Sequence, residues 1–349
     1  MNRNDYENVV RRVRGLLSSN DEWRDRYKGY AQKLGDDGFR KQLERAVKQF
    51  RVPNPFQLYL PVSTAMKCNS SSTYLELRFR GQSVAMLRID NRKDKIVKLG
   101  IKPSANVREA LVAIKSLPVW YDAEHLKKIK WVDWQGDEAV EFRKLFTKLD
   151  KKIKADPAIL SGQPEHEMES WLLKNYSKKS ASEKEVVDIQ PVKMPGTTAC
   201  FQMPTPIRAS KAKNGADNIG YSKQYGGGID ILARTGRGRA TKLAVLELKD
   251  EFSDYELPQD AICQAIAYAT FIRELIRDSE CGEDWWKIFG FGGKAPAKLQ
   301  LFAAIVMPYD DRADESFVKE GPLAIENDSI SLGYIYRNMD SVSSIYHLC

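Results

Sequence analysis

The sequence predicts a two-domain α/β protein in which a basic α+β half precedes a half built on one mixed sheet flanked by helices. Three observations predict it. Charge divides unevenly along the chain, strand-like apolar runs gather in two regions, and the second region runs in the order helix, strands, helix, strand. At roughly 100–200 residues per domain, 349 residues that are 42% hydrophobic suit two cores.

In the first half, residues 5–50 read as helical, with Val9, Val10, Val13, Leu16 and Leu17 at helical spacing among charges. "RVPNPF" (51–56) breaks that pattern. The runs FQLYLPV, STYLELRF, QSVAMLRI and KIVKLGI then read as strands, with Gly81 and "DNRKD" as turns. A helix is expected over 103–117, capped by Ser104, and another over 137–154. "ADPAILSGQP" marks a boundary, so the expected domains are 1–155 and 156–349.

In the second half, "EHEMESWLLKNYSK" reads as a helix and EVVDIQPV and ACFQMPTPI as strands. "IDILART" and "KLAVLELKD" are strands joined through "GRGRA". A helix follows from about Pro258 to Arg277, then the strands "KLQLFAAIVMP" and "SISLGYIYRN".

The charge split bears on function. Residues 1–155 hold 33 Lys and Arg against 19 Asp and Glu, a net of +14, whereas 156–349 hold 22 against 28, a net of −6. A basic half suggests a polyanionic partner, or simply a solvated basic surface. No apolar run approaches the ~20 residues of a membrane span, so no membrane partner is expected. The charged first residues lack an export signal, and five scattered cysteines without a CxxC argue against a disulfide framework or zinc site; both suit the cytoplasm. Three distant histidines disfavour chemistry built on several imidazoles.

The most informative stretch is "LAVLELKDEF" (243–252). Its apolar run reads as a core strand, yet Glu247 and Lys249 share one face at its end, with Leu248 on the other. Alone, the pair could be a surface salt bridge. Asp230 in "GGGIDILAR" begins the preceding strand, after three glycines that permit a turn, bulge or close approach. If the two strands form a hairpin, Asp230 and Glu247 face each other, and two convergent carboxylates suit Mg²⁺ or Mn²⁺. Lys249 can neutralise a phosphate or orient a metal-bound water. Gln264 and Tyr268, four apart, share one helical face; ordinary packing is the alternative.

In this order, the residues resemble the PD-(D/E)XK nuclease superfamily, whose fold is restriction-endonuclease-like. The resemblance rests on Glu165 in "EHEMESWLL", Asp230 in "GGGID", Glu247 and Lys249 in "ELK", and Gln264 with Tyr268, and spans roughly residues 160–310. It implies a restriction-endonuclease-like core behind a separate α+β domain. It further implies metal-dependent hydrolysis of nucleic-acid phosphodiesters, DNA ahead of RNA. Asp230, Glu247 and the Leu248 carbonyl would hold Mg²⁺ or Mn²⁺, Lys249 would position the attacking water, and Gln264 would support the site or touch a phosphate. The helical acid is Glu165, with Glu169 the alternative on the same face.

Ile229 stands where the family often has proline, and Asp230 and Glu247 are 17 positions apart, so "TGRGRAT" forms an excursion. Arg234 just before it and its Arg237 and Arg239, with Tyr268, are candidate nucleic-acid contacts; a solvent loop is the alternative reading of the excursion. The competing classes are a non-catalytic nucleic-acid-binding or scaffolding module keeping the fold, and a nuclease subunit active only within a larger complex, such as a defence complex. A homo-oligomer is compatible with either. The stretch "PVWYDAEHLKKIKWVDWQ" (118–135) could stack bases between lysines, although its tryptophans also suit a core.

Overall fold

Two short breaks divide residues 3–50 into three helices. The computed structural model describes residues 2–50, 54–62, 72–90, 95–122, 124–160, 164–176, 189–194, 197–210, 212, 215–236, 241–249, 257–313, 316 and 320–336. Asn2 caps α1 (Arg3–Ser18) in a reciprocal box with Asp5, satisfying amides that the first turn leaves without partners. α2 (Glu22–Gly35) follows. Asp36 then opens α3 (Asp37–Phe50) by accepting the Phe39 amide at 2.7 Å.

Next come β1 (Phe56–Pro61), β2 (Ser72–Phe79), β3 (Gln82–Asp90), β4 (Lys95–Ile101), α4 (Ala105–Leu111), β5 (Lys130–Asp133), α5 (Asp137–Ala155) and α6 (Pro164–Tyr176). The chain continues through β6 (Ile189–Pro191), β7 (Cys200–Gln202), β8 (Pro204–Thr205), β9 (Ile207–Arg208), β10 (Gly220–Tyr221) and β11 (Gly227–Gly228). It ends with β12 (Ile231–Thr235), β13 (Lys242–Leu248), α7 (Pro258–Arg277), α8 (Gly282–Ile288), β14 (Gln300–Met307), β15 (Leu323–Ile325) and β16 (Asp328–Tyr336). The protein is thus mixed α/β. Among the described residues, no helix is long and apolar enough to cross a membrane.

The helix expected over 103–117 ends at Leu111. There the amides of Val112, Ala113 and Ile114 turn to carbonyls three residues back, tightening the chain and burying Ile114. Ser104 occupies the cap position, but its hydroxyl donates to Gln82 Oε1 rather than capping the helix.

The chain divides into two compact units, one of Met1–Gly35, Leu172–Val192 and Gln202–Cys349, the other of Asp36–Trp171 and Lys193–Phe201. The division departs from 155/156 because the first 35 residues join the unit that holds the C-terminal sheet. By sequence, the second unit carries 26 Lys and Arg against 18 Asp and Glu, a net of +8, and the first 29 against 29. All the net charge therefore belongs to the second unit.

That second unit holds an antiparallel sheet in the order β5-β4-β3-β2-β1-β7. One face buries Leu75, Leu77, Leu87, Ile89, Leu99 and Val132. Phe56 stacks on Phe142 of α5 (5.4 Å between ring centres), and Phe79 meets Phe146 edge-on (5.1 Å).

The first unit holds the sheet β15-β16-β14-β13-β12-β6, in which β13-β14 and β14-β16 are parallel and the other pairs antiparallel. α7 and α8 connect β13 to β14, and α7 is buried over most of its surface. One side packs on β13 and β14; α1 packs on another, and Trp23 and Tyr27 of α2 close on Phe271 (5.9 and 5.0 Å).

A buried ionic cluster fixes the far end of α7. Arg273 Nε donates to Asp328 Oδ2 at 2.8 Å, Arg277 Nε donates to the same oxygen at 2.9 Å, and the Leu299 amide donates to Oδ1 at 2.9 Å. Burial alone would raise the Asp328 pKa, but Arg277, the Leu299 amide and Arg273 hold it below the usual carboxylate range. A buried pair that loses one partner leaves the other charge uncompensated. Asp328→Ala is expected to cost about 3–5 kcal/mol in urea unfolding at neutral pH. The difference from wild type should shrink as pH falls through the depressed Asp328 pKa, where the native carboxylate is itself protonated. A loss under about 1 kcal/mol would put the cluster in the class of exposed ion pairs.

Candidate active site

The site lies where β12 begins and β13 ends. Their register pairs Ile231 with Leu246, so Asp230 falls one residue beyond the ladder, opposite Glu247. Asp230 Oδ2 accepts the Leu248 amide at 2.9 Å, which pins the aspartate across the strand end. The Lys249 amide donates to the Val306 carbonyl at 3.0 Å, carrying the β14 ladder one residue past β13. Strand alternation places Glu247 and Lys249 on one face and Leu248 on the other.

Glu247 is the unusual residue. It is only 1% exposed, in a row with buried Ile305 of β14. Gln264 Nε2, from α7, donates to Glu247 Oε2 at 2.8 Å. The other carboxylate oxygen, Oε1, is buried and accepts no hydrogen bond. Burial pushes the Glu247 pKa well above the carboxylate range, and the charge of Asp230 pushes it further; the Asp230 backbone amide and then Lys249 pull it back down.

Tyr268, one turn beyond Gln264, is 2% exposed. Its phenol pKa is raised by burial and then by the fields of Glu247 and Asp230, while a hydrogen bond with Gln264 opposes the rise. Gln264 therefore links the phenol to the carboxylate pair. The three glycines preceding Asp230 serve close approach, and none of them has positive φ. A Cβ on Gly227 would lie 2.4 Å from the Tyr268 hydroxyl, and one on Gly226 only 2.5 Å from the Pro206 backbone.

The donors present suit a hard divalent cation: an oxygen of Glu247 without a partner, a facing Asp230 carboxylate, and no sulfur or imidazole. Among the described residues, no group of three or more His, Cys, Asp and Glu side chains is arranged for a metal. The centre is a carboxylate pair, with Leu248 contributing its amide to Asp230.

Glu165 and Glu169 belong to the second unit. Glu169 is 7% exposed and faces Arg78, whose Nη1 lies 3.4 Å from Glu169 Oε1. Arg78 also pairs with Glu76 at 3.0 Å and stacks over the Tyr59 ring at 4.0 Å. In its own unit, Glu169 thus works as a counter-charge. Arg234 donates to the Gly290 carbonyl at 2.7 Å and to Gln190 Oε1 at 3.2 Å, tying β12 to its neighbours. Arg237 and Arg239 lie outside the described residues.

Sequence reasoning missed Tyr225. It is 54% exposed, and its hydroxyl would be 2.9 Å from a Cβ on Gly228. The signal was there: an aromatic residue directly ahead of three glycines. No protein-family model, curated protein or solved structure matches this chain.

The raised Glu247 pKa sets a pH dependence. With metal removed by EDTA, the unfolded carboxyl ionises near ~4.3 while the folded one keeps its proton. Stability should therefore fall as pH rises above that value, until the folded pKa is passed. Glu247→Gln, which keeps the shape without the charge, should flatten this fall in denaturation measured across pH. A wild-type profile as flat as that of the variant would contradict the assignment.

Proposed function

We propose that this chain is a divalent-metal-dependent nuclease that hydrolyses phosphodiester bonds of nucleic acid, DNA ahead of RNA. The observation carrying the reading is the buried Glu247 oxygen without a hydrogen bond, beside Asp230 and one pleat from Lys249. An unmet carboxylate oxygen and a second carboxylate crowded against it are strongly unfavourable unless a cation or proton joins them. The chain order supports the same reading: a helix with acids, an Asp strand, a Glu-x-Lys strand, the Gln264–Tyr268 helix, then a strand parallel to the Glu-x-Lys strand.

Asp230 and Glu247 would hold Mg²⁺ or Mn²⁺, with the Leu248 carbonyl the further candidate from the family resemblance. A bound metal of this kind acts as a Lewis acid and makes water a better nucleophile at neutral pH. The protein's own residues do the positioning. Gln264 holds one Glu247 oxygen and leaves the other to the cation. The Leu248 amide keeps Asp230 facing its partner. Lys249, on the Glu247 face and half-exposed, sets an ammonium where a phosphate would arrive and offsets the charge that builds on its oxygens. α7 excludes water from the back of the site, strengthening each of these interactions. The net charge of +8 on the second unit supports a polyanionic substrate.

The test incubates wild type, Asp230→Ala and Lys249→Ala with Mg²⁺ or Mn²⁺ on circular duplex, linear duplex, single-stranded DNA and RNA. Wild type is expected to cleave at least one substrate, and each variant to lose about 10²-fold or more in rate. Equal cleavage by all three proteins would remove the site from the reaction. Binding without cleavage by wild type would favour the non-catalytic module.

A further inference from the structure

The antiparallel sheet of the second unit has one face in the core, and its other face is covered only in part. At the β1–β2 end, α6 lies against it. Gln57 Nε2 donates to the Ser170 carbonyl at 2.7 Å, Arg78 meets Glu169, and Tyr59 is 1% exposed. Toward β3, β4 and β5 the same face opens. The register places Tyr74, Arg88, Lys98 and Asp133 in one row across β2–β5, and Met86, Gly100 and Trp131 in the next. Arg88, Lys98 and Trp131 are exposed, the indole at 40%.

The two aromatic rings are brought together across the strands between them. Trp131 leans over Gly100, where a Cβ would sit 2.8 Å from the indole, so the missing side chain is what admits the ring. Its ring centre lies 6.1 Å from that of Tyr74, although Tyr74 is three strands away in the sheet order. Arg88 lies in the Tyr74 row and is braced by the Ser72 hydroxyl at 3.0 Å. Lys98 is next to it in the same row. Asp133 shares this row, but its carboxylate accepts the Gln135 amide at 2.9 Å. Asp90 is half-exposed two residues beyond Arg88.

We propose that this open end of the sheet binds single-stranded nucleic acid, with bases on the Trp131 and Tyr74 rings and phosphates on Arg88 and Lys98. The proposal deepens the nucleic-acid reading above without depending on the carboxylate pair. A pleated surface carrying aromatic rings offers stacking to any unpaired base, whereas bases in a duplex are already stacked on each other. The backbone's charge is met by the unit that holds the whole net charge of the chain. The basic–aromatic stretch at 118–135 contributes Trp131 to this surface, while Trp134 packs on Phe50 (5.8 Å between ring centres).

The full chain is titrated, in EDTA so that metal-dependent cleavage cannot occur, against a short fluorescein-labelled oligothymidylate and a labelled duplex, with anisotropy as the readout. Wild type should bind the single strand more tightly than the duplex and weaken as salt rises. Trp131→Ala should lower affinity by on the order of 10-fold, and Trp131→Phe should retain most of it. Lys98→Glu, at an exposed position that leaves both rings in place, should weaken binding and reduce its salt dependence. Unchanged affinity in both Trp131→Ala and Lys98→Glu overturns the proposal, as does duplex binding equal to single-strand binding. Neither result touches the carboxylate centre, whose failure would show in cleavage alone.

Discussion

The arrangement at the end of β13 depends on one carboxylate that water does not reach. Glu247 is buried between the sheet and α7, accepts a hydrogen bond from Gln264, and faces a second carboxyl group across the strand pair. Isolated, such a group is among the least favourable things a core can contain. Its presence makes sense as one part of a larger set, and the neighbouring residues supply the other parts. Asp230 is locked by a backbone amide, Lys249 stands one pleat further out, and Tyr268 closes the back of the site against Gly227. Packing, hydrogen bonding and charge thus converge on one pair of oxygens.

That convergence needs α7 to be immobile. A helix carrying Gln264 fixes Glu247 only if it cannot slide along the sheet. α1 and α2 pack on its outer sides, and the Arg273–Arg277–Asp328 cluster ties its last turns to the start of β16. The first 35 residues therefore act on the candidate site from a distance, by holding the helix that holds the glutamate. The excess positive charge sits in the other unit, so the chain separates the features suited to chemistry from those suited to a polyanion.

Local patterns made much of the site legible. The period of two in "LAVLELKDEF" put Glu247 and Lys249 on one face, and the four-residue step from Gln264 to Tyr268 put both on one side of a helix. Hairpin pairing of the two strands placed Asp230 opposite Glu247, whatever the intervening excursion does. Contacts between distant segments were not legible. Nothing in residues 5–50 announces that α1 and α2 cover α7, although the long apolar content of 258–277 was a sign that something must. The pairing of Glu169 with Arg78, 91 residues away in sequence, is one such contact. The end of the helix at Leu111 was hidden because the apolar period runs on through Ile114 while the backbone tightens.

Whether Asp230 and Glu247 together hold a cation is tested by Mn²⁺ binding without any assumption about substrate. Electron paramagnetic resonance of free Mn²⁺, titrated against the full chain, counts the ions taken up. Wild type is expected to show a saturable site that is lost in both Asp230→Asn and Glu247→Gln, while each variant keeps its native circular dichroism. Equal Mn²⁺ uptake by wild type and both folded variants would contradict such a site.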